Sequence, residues 1–220
     1  MKASQHLWSA SKLTYATLIV AACRVPDREV RHVAFDRLPH WSRWATGITD
    51  LIVARLTDLG EPSVRYRAAE LLRALDDAGV DAVFARLVAA DAADDRPGDA
   101  ISDRPARRRI EELAEATSDW SQRSPAGADR SALITSARWL AGQPGFAAAS
   151  MSMLVGLGRL DNLAEVADRC AGRPVLATRT AEQIRHLQYQ LPGSIDPVRL
   201  RGTIERLAAR GDLAGGLFAV

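Results

Sequence analysis

The side chains that most often bind metals or act as nucleophiles are few and widely separated in this chain. They are the histidines His6, His32, His40 and His186 and the cysteines Cys23 and Cys170. Zinc ligands and catalytic pairs come at short, recognisable spacings, and no CxxC, HExxH, GxSxG, P-loop or dinucleotide motif is present. The sequence therefore predicts no catalytic residue, no metal and no cofactor, and it predicts that both cysteines are free, buried thiols.

Cys23 also ends a segment that resembles the processing site of a bacterial lipoprotein. The apolar stretch from Leu13 to Ala22 leads into Val20-Ala21-Ala22-Cys23. This stretch is too short to cross a membrane, and the residues after Cys23 form no flexible tether. We therefore expect a cytoplasmic protein with no membrane span, with a lipoprotein signal ending at Cys23 as the alternative.

The densest cluster of positive charge contains four arginines: Arg104, Arg107, Arg108 and Arg109. Such a cluster could bind a phosphate backbone. Three glutamates follow at once: Glu111, Glu112 and Glu115. Acids about one helical turn away neutralise arginines on the same helix. We therefore expect the cluster to be paired internally on a surface helix.

The charge of the whole chain gives no support to a nucleic-acid partner. The sequence has 29 basic and 27 acidic residues, which leaves a formal charge of +2. Such a balance produces no long-range field toward DNA or an anionic membrane. All basic residues except Lys2 and Lys12 are arginines, and we attribute this bias to a GC-rich coding genome.

The amino-acid composition indicates which type of secondary structure the chain forms. Hydrophobic residues make up 47% of the 220 positions and aromatic residues 5%, while alanine, leucine and arginine are abundant. These abundant residues favour helices, and the chain is long enough to bury a core without disulfides. An all-α fold is therefore predicted.

A repeat of 34 residues organises the first part of the chain, because Leu18 to Trp41 aligns with Ile52 to Leu75 after that shift. The matching positions are apolar or small: Leu18 with Ile52, Ala22 with Leu56, Val30 with Val64, Ala34 with Ala68, and Leu38 with Leu72. Val30, Ala34 and Leu38 are four residues apart, so they should form one buried stripe. Each repeat is therefore predicted to be a helix, a tight turn and a second helix.

These repeats resemble HEAT repeats over residues 13–90. The resemblance is carried by Pro26-Asp27-Arg28-Glu29-Val30-Arg31 and by Glu61-Pro62-Ser63-Val64-Arg65, each followed by the small and apolar positions of the stripe. It implies an α-solenoid of stacked antiparallel helix pairs, whose second helices line a concave surface that binds proteins and occasionally nucleic acid. It also implies that Arg31 and Arg65 join a ladder of aspartate and arginine side chains.

The remaining helices are predicted from apolar stripes and from glycine and proline stops. A third pair should combine Val80 to Ala90 with Arg107 to Thr117, so that repeats fill residues 1–117 with a long, mobile loop at 91–105. A connecting loop follows at 118–129. Residues 130–220 should add hairpins that continue the solenoid: Ser131 to Ala141, Gly145 to Leu157, Leu160 to Ala171, Thr180 to Gln190 and Pro197 to Arg210. The apolar end, Gly215 to Val220, suggests a fragment of a longer protein or a surface that a partner covers.

The residues expected to bind a partner project from the second helices, away from the apolar stripe. They are His32, Asp36, Arg37, Tyr66, Glu70 and Arg73. Their mixed charge suits a protein surface better than a phosphate backbone. An ordinary solvated surface is the alternative.

Trp41 and Trp44 lie three residues apart near the junction of the first two repeats. Large aromatic residues at helical spacing usually belong to the core. If one of them is exposed beside Arg43, it becomes an anchor for a protein partner.

One enzyme class shares the HEAT-like architecture, namely the alkylpurine DNA glycosylases. They hold an alkylated base against aromatic residues and a carboxylate, and Asp119-Trp120 and Arg138-Trp139 are the candidates for these roles here. Because the charge is nearly neutral, we favour a non-enzymatic module that binds protein, with a DNA-binding protein or glycosylase as the alternative. The identity of the partner, the oligomeric state and the binding face remain open.

Overall fold

The computed structural model describes residues 2–41, 47–60, 65–94, 104–123, 131–158, 163–170 and 172–190, together with residues 198, 201–203 and 205. All regular secondary structure in these ranges is helical, which confirms the all-α prediction. Trp44, Val64 and the segment from Gly215 to Val220 lie outside the described residues. No helix in the described part is long and apolar enough to cross a membrane.

The chain forms two compact units, residues 1–109 and 110–220. The first contains α1 (Lys2–Ala22), α2 (Arg28–Trp41), α3 (Ile48–Thr57), α4 (Arg65–Arg73) and α5 (Asp77–Ala92). Helix α6 (Pro105–Arg123) begins in the first unit and ends in the second. The second unit continues with α7 (Ser131–Ala141), α8 (Ala147–Gly158), α9 (Leu163–Arg169) and α10 (Pro174–Gln190).

Side chains at the turn between α1 and α2 fix where α2 begins. The Asp27 carboxylate accepts hydrogen bonds from the backbone N–H groups of Glu29 and Val30, at 2.9 and 3.0 Å. This is the capping that the first turn of a helix requires. Arg31 donates to the carbonyl oxygens of Val25, at 3.1 Å, and Pro26, at 2.6 Å. Arg31, which the resemblance assigns to an aspartate–arginine ladder, therefore stabilises the turn that precedes its own helix.

The core of the first unit is formed where α1 packs on α2, α2 on α4, and α3 on both α4 and α5. Its buried members include the repeat positions Ala34, Leu38, Ile52, Leu56, Ala68 and Leu72 and, on α5, Val83, Phe84 and Leu87. The apolar periodicity therefore identified the buried faces of α2 to α5 correctly at these positions.

Val30, a position of the predicted stripe, and Leu18, an apolar position of the repeat, are exposed. Leu18 keeps 61% of its surface accessible although its repeat equivalent Ile52 keeps none, and Val30 keeps 45%. Helix α3 packs on two other helices, whereas Leu18 lies on a side of α1 that the described chain leaves open. Periodicity places a residue on a face of a helix, but the number of neighbours decides whether that face is covered.

Two helices extend into segments that were predicted as loops. Helix α5 continues through Ala92, into the loop predicted at 91–105. Helix α6 continues through Arg123, so the connecting loop predicted at 118–129 is wrong over its first six residues. Residues 118–123 contain no glycine or proline that would end a helix.

The second unit is organised around α8, which packs on α7, α9 and α10. Most side chains of α8 are buried, including Met151, Met153, Leu154 and Val155, as expected for a helix with neighbours on several sides. Helix α10 begins at Pro174, six residues before the predicted start at Thr180. Pro174 occupies the first helical position, where a missing N–H costs nothing.

Candidate functional site

Helices α2 and α4 pack against each other and carry most of the residues predicted to bind a partner. We call these residues the α2–α4 surface: His32, Asp36, Arg37, Tyr66, Glu70 and Arg73. Arg37, Glu70 and Arg73 are exposed, and Asp36 is half-buried. Only the backbone of Tyr66 is described. Glu70 and Arg73 are three residues apart on α4, so they share one side of that helix.

His32 is exposed but lies at the border between α2 and α3. Its Nδ1 atom is 3.4 Å from Nη2 of Arg55, a buried residue of α3. The Arg55 guanidinium also lies 5.3 Å from the centroid of the Phe35 ring, at a distance where a cation is attracted to an aromatic face. His32 therefore forms the outer edge of a packed cluster between α2 and α3, whereas Arg37 and Arg73 extend into solvent.

Trp41 is half-buried at the end of α2. Its ring centroid is 4.8 Å from that of Tyr15 on α1 and 5.5 Å from that of His40. Aromatic pairs at these distances stabilise helix packing. Trp41 therefore joins α1 to α2 and lies beside the exposed His40.

The basic cluster is held by structural contacts that the sequence alone did not reveal. Arg107 Nη2 lies 2.9 Å from Oδ2 of the buried Asp91, and Arg104 donates to the Asp91 carbonyl at 2.9 Å. Arg109 is buried and donates to the Leu56 carbonyl at 3.2 Å. We call Asp91 with Arg104 and Arg107 the Asp91 hub. Arg104, Arg107 and Arg109 therefore use their guanidinium groups for contacts within the fold.

A signal for the Asp91 hub was present in the sequence. Asp91 follows Leu87 by four residues, so it continues the apolar stripe of α5. An acid on a buried stripe requires a cationic partner, because an unpaired buried charge is costly. The pairing with Glu111 and its neighbours was expected because those acids are closer in sequence.

In the second unit, Glu165 on α9 forms ion pairs with two arginines. Arg138 Nη2 on α7 lies 2.8 Å from Oε2, and Arg169 Nη2 lies 2.9 Å from Oε1. The hydrogen bonds from Arg138 hold the pKa of Glu165 below its ordinary value. Arg138, a candidate of the glycosylase alternative, is therefore engaged with Glu165, while its neighbour Trp139 is exposed. The side chains of Asp119 and Trp120 lie outside the described residues.

No protein-family model, curated protein or solved structure matches this chain. Its function therefore has to be inferred from the helices and side chains themselves.

Both cysteines are free and buried, as predicted. Burial raises the pKa of the Cys23 thiol to about 11 and raises that of Cys170 as well. Thiols of this kind carry little thiolate at neutral pH and are therefore poor nucleophiles. Within the described part of the chain, no group of three or more histidine, cysteine, aspartate or glutamate residues could hold a metal ion.

Proposed function

We propose that this protein is a non-enzymatic, cytoplasmic HEAT-like module that binds a protein partner through the α2–α4 surface. The observation that carries the proposal is the pattern of helix contacts in the first unit. The hairpins α1–α2 and α3–α4 are joined by packing of α2 on α4, and α5 continues the series by packing on α3. Packing of α2 on α4 and of α3 on α5 joins helices that occupy equivalent places in successive pairs, which supports a stacked arrangement.

The 34-residue repeat supports the same arrangement. Ala34 and Leu38 on α2 and their equivalents Ala68 and Leu72 on α4 are all buried. The small alanine at each position allows neighbouring helices to approach closely. In a stacked repeat these positions bury the core, so the outward residues of α2 and α4 can vary without loss of the fold. An extended row of such residues is where repeat proteins bind their partners.

The charges of the α2–α4 surface favour a protein partner. Arg37 and Arg73 are interleaved with the acids Asp36 and Glu70. A phosphate backbone needs several basic residues without acids between them, whereas protein interfaces combine both signs. The basic cluster near Arg107 is engaged in the Asp91 hub, which leaves the mixed surface as the stronger candidate.

The proposal is tested by affinity capture with the intact chain, followed by mass spectrometry of retained proteins. The double variant Arg37→Glu/Arg73→Glu should lose the specific partner by about tenfold or more, as expected when charged contacts are reversed. Arg86→Glu is the matched control, because Arg86 is an exposed arginine on α5. Equal recovery of the partner by the double variant and the wild type would show that the binding site is elsewhere.

A further inference from the structure

A groove of about 340 Å³ lies in the second unit, where the first turns of α8 and α10 meet. Its lining is mostly apolar and contains two arginines; the residues that matter here are Ala147, Ala148, Val175, Leu176, Arg173 and Arg179. A volume of this size is at the lower end of the range for ligand-binding sites, roughly 300–1,000 Å³. Neither the 34-residue repeat nor any motif in the sequence indicated this groove.

The groove side of α10 faces away from the core. The buried stripe of this helix consists of Ala177, Thr180, Ala181 and Ile184. Val175 and Arg179 are four residues apart, so they share the opposite side. Val175 keeps 70% of its surface accessible. An exposed branched aliphatic residue beside exposed arginines combines an apolar wall with positive charge.

The two arginines of the groove differ from Arg138 and Arg169 of the same unit. Arg138 and Arg169 both bind Glu165. Arg173 and Arg179 are exposed, and neither forms an ion pair with a carboxylate of the described residues. Their charge is therefore available to an anionic group that enters the groove.

Backbone groups add to the same positive charge. The carbonyls of Phe146 and Arg173 accept the first helical hydrogen bonds of α8 and α10, from Ser150 and Ala177, both at 3.0 Å. Phenylalanine and arginine have no side-chain oxygen, so these cap residues cannot satisfy the N–H groups of the first turn. The positive ends of two helix dipoles thus reinforce the arginine charges.

We propose that this groove binds a short acidic and aliphatic segment of a partner protein. A leucine-like side chain would pack on Val175 and Leu176, and a carboxylate would pair with Arg173 or Arg179. These arginines are six positions apart, which corresponds to a rise of about 9 Å along a helix, a distance that about three residues of an extended chain span. One segment can therefore reach both arginines with its acids and place an aliphatic side chain between them.

The openness of the groove favours a protein segment over a small amphiphile. Ligand sites for small molecules bury most of the ligand surface. A small carboxylate beside Val175, which remains 70% exposed, would stay largely in water. A segment that continues beyond the groove on both sides covers this wall with its own neighbouring residues. This inference rests on the proposed function only in treating the chain as a protein-binding module, since it concerns a different surface.

The test is fluorescence anisotropy of the intact chain with a short labelled peptide of alternating aspartate and leucine. Arg179→Glu and Val175→Glu should each weaken binding about tenfold or more, because one reverses a charge and the other removes the apolar wall. Arg185→Glu, at an exposed arginine of α10 that is not part of the groove lining, is the matched control and should bind as the wild type does. Both substituted groove positions are exposed, and thermal unfolding verifies that each variant is folded.

Three results would overturn the inference: failure of the wild type to bind the peptide, equal weakening by Arg179→Glu and Arg185→Glu, or displacement of the peptide by octanoate at a comparable concentration. The last result would assign the groove to a small amphiphile. The variant Arg37→Glu/Arg73→Glu should keep full peptide binding. A further result would be that affinity capture of the partner does not depend on Arg37 and Arg73 while peptide binding still requires Arg179. That result would contradict the α2–α4 surface as a binding site and support the groove.

Discussion

Each compact unit contains a carboxylate that binds two arginines, but the two sites differ in burial. The Asp91 side chain is 6% exposed and its partners Arg104 and Arg107 are 14% and 15% exposed. Glu165 is 26% exposed, and Arg138 and Arg169 are 47% and 37% exposed. Both sites pair one carboxylate with two guanidinium groups, so the difference in solvent access should decide how much each site contributes to stability.

The largest effect is expected when the carboxylate of the Asp91 hub is removed. Asp91→Ala leaves two largely desolvated guanidinium groups without their partner, and we expect the free energy of unfolding to fall by about 3–5 kcal/mol. Glu165→Ala should cost at most about 1 kcal/mol, because its arginines regain water. Urea unfolding of both variants measures the difference. Equal losses would mean that burial does not distinguish the two sites.

The pairwise coupling sharpens the same comparison. A double-mutant cycle of Asp91→Ala with Arg107→Ala should give a coupling of about 2 kcal/mol, because each single variant leaves a buried charge. The cycle of Glu165→Ala with Arg138→Ala should give roughly 0.2–1 kcal/mol. If the coupling free energy in the second cycle were as large as in the first, the bidentate geometry alone, without burial, would account for the strength of the ion pair.

The pH dependence of the Glu165 site is expected to be smaller still. Arg138 lowers the pKa of Glu165 in the folded protein, so this pair stabilises the fold above the unfolded-state pKa of a glutamate, about 4.3. The contribution is lost as the pH falls through the lowered folded-state pKa. The deficit of Arg138→Gln relative to the wild type should therefore be larger at pH 7 than at pH 3, by less than about 1 kcal/mol. A deficit that is identical at both pH values would rule out the ion pair as its cause.

The buried thiols report the local stability of each unit without a large energetic effect of their own. Cys23 lies in the first unit and Cys170 in the second, and both should react with a maleimide only when their surroundings open. In Asp91→Ala we expect faster labelling of Cys23 and little change at Cys170, with peptide mapping to separate the two sites. Equal acceleration at both thiols would indicate that the Asp91 hub stabilises the second unit as much as the first.

Local patterns in the sequence predicted the helices and most of the core, because a buried stripe is a property of a single helix. Ala34, Leu38, Ala68 and Leu72 were identified in this way and are buried. Val30 was not predicted correctly, since its exposure depends on which other helices are present. The start of α10 was predicted six residues too late, at Thr180, because a proline such as Pro174 can either end a helix or begin one.

The candidate sites could be predicted only in part. The α2–α4 surface follows from the repeat only in part: Asp36 and Glu70 are equivalent positions on α2 and α4, whereas Arg37 aligns with the buried Leu71. The Asp91 hub joins residues 13 and 16 positions apart, beyond the reach of helical spacing. The groove between α8 and α10 required the packing of two helices that are separated in sequence by α9. Contacts of this kind depend on tertiary structure, which a single sequence does not reveal.

The most direct test of the α2–α4 surface is hydrogen exchange of the intact chain, free and bound to the partner obtained by affinity capture. We expect the backbone amides of Arg28–Trp41 and Arg65–Arg73 to exchange more slowly in the complex, because the partner covers α2 and α4. Protection confined to other helices, with exchange in α2 and α4 unchanged, would contradict the proposal.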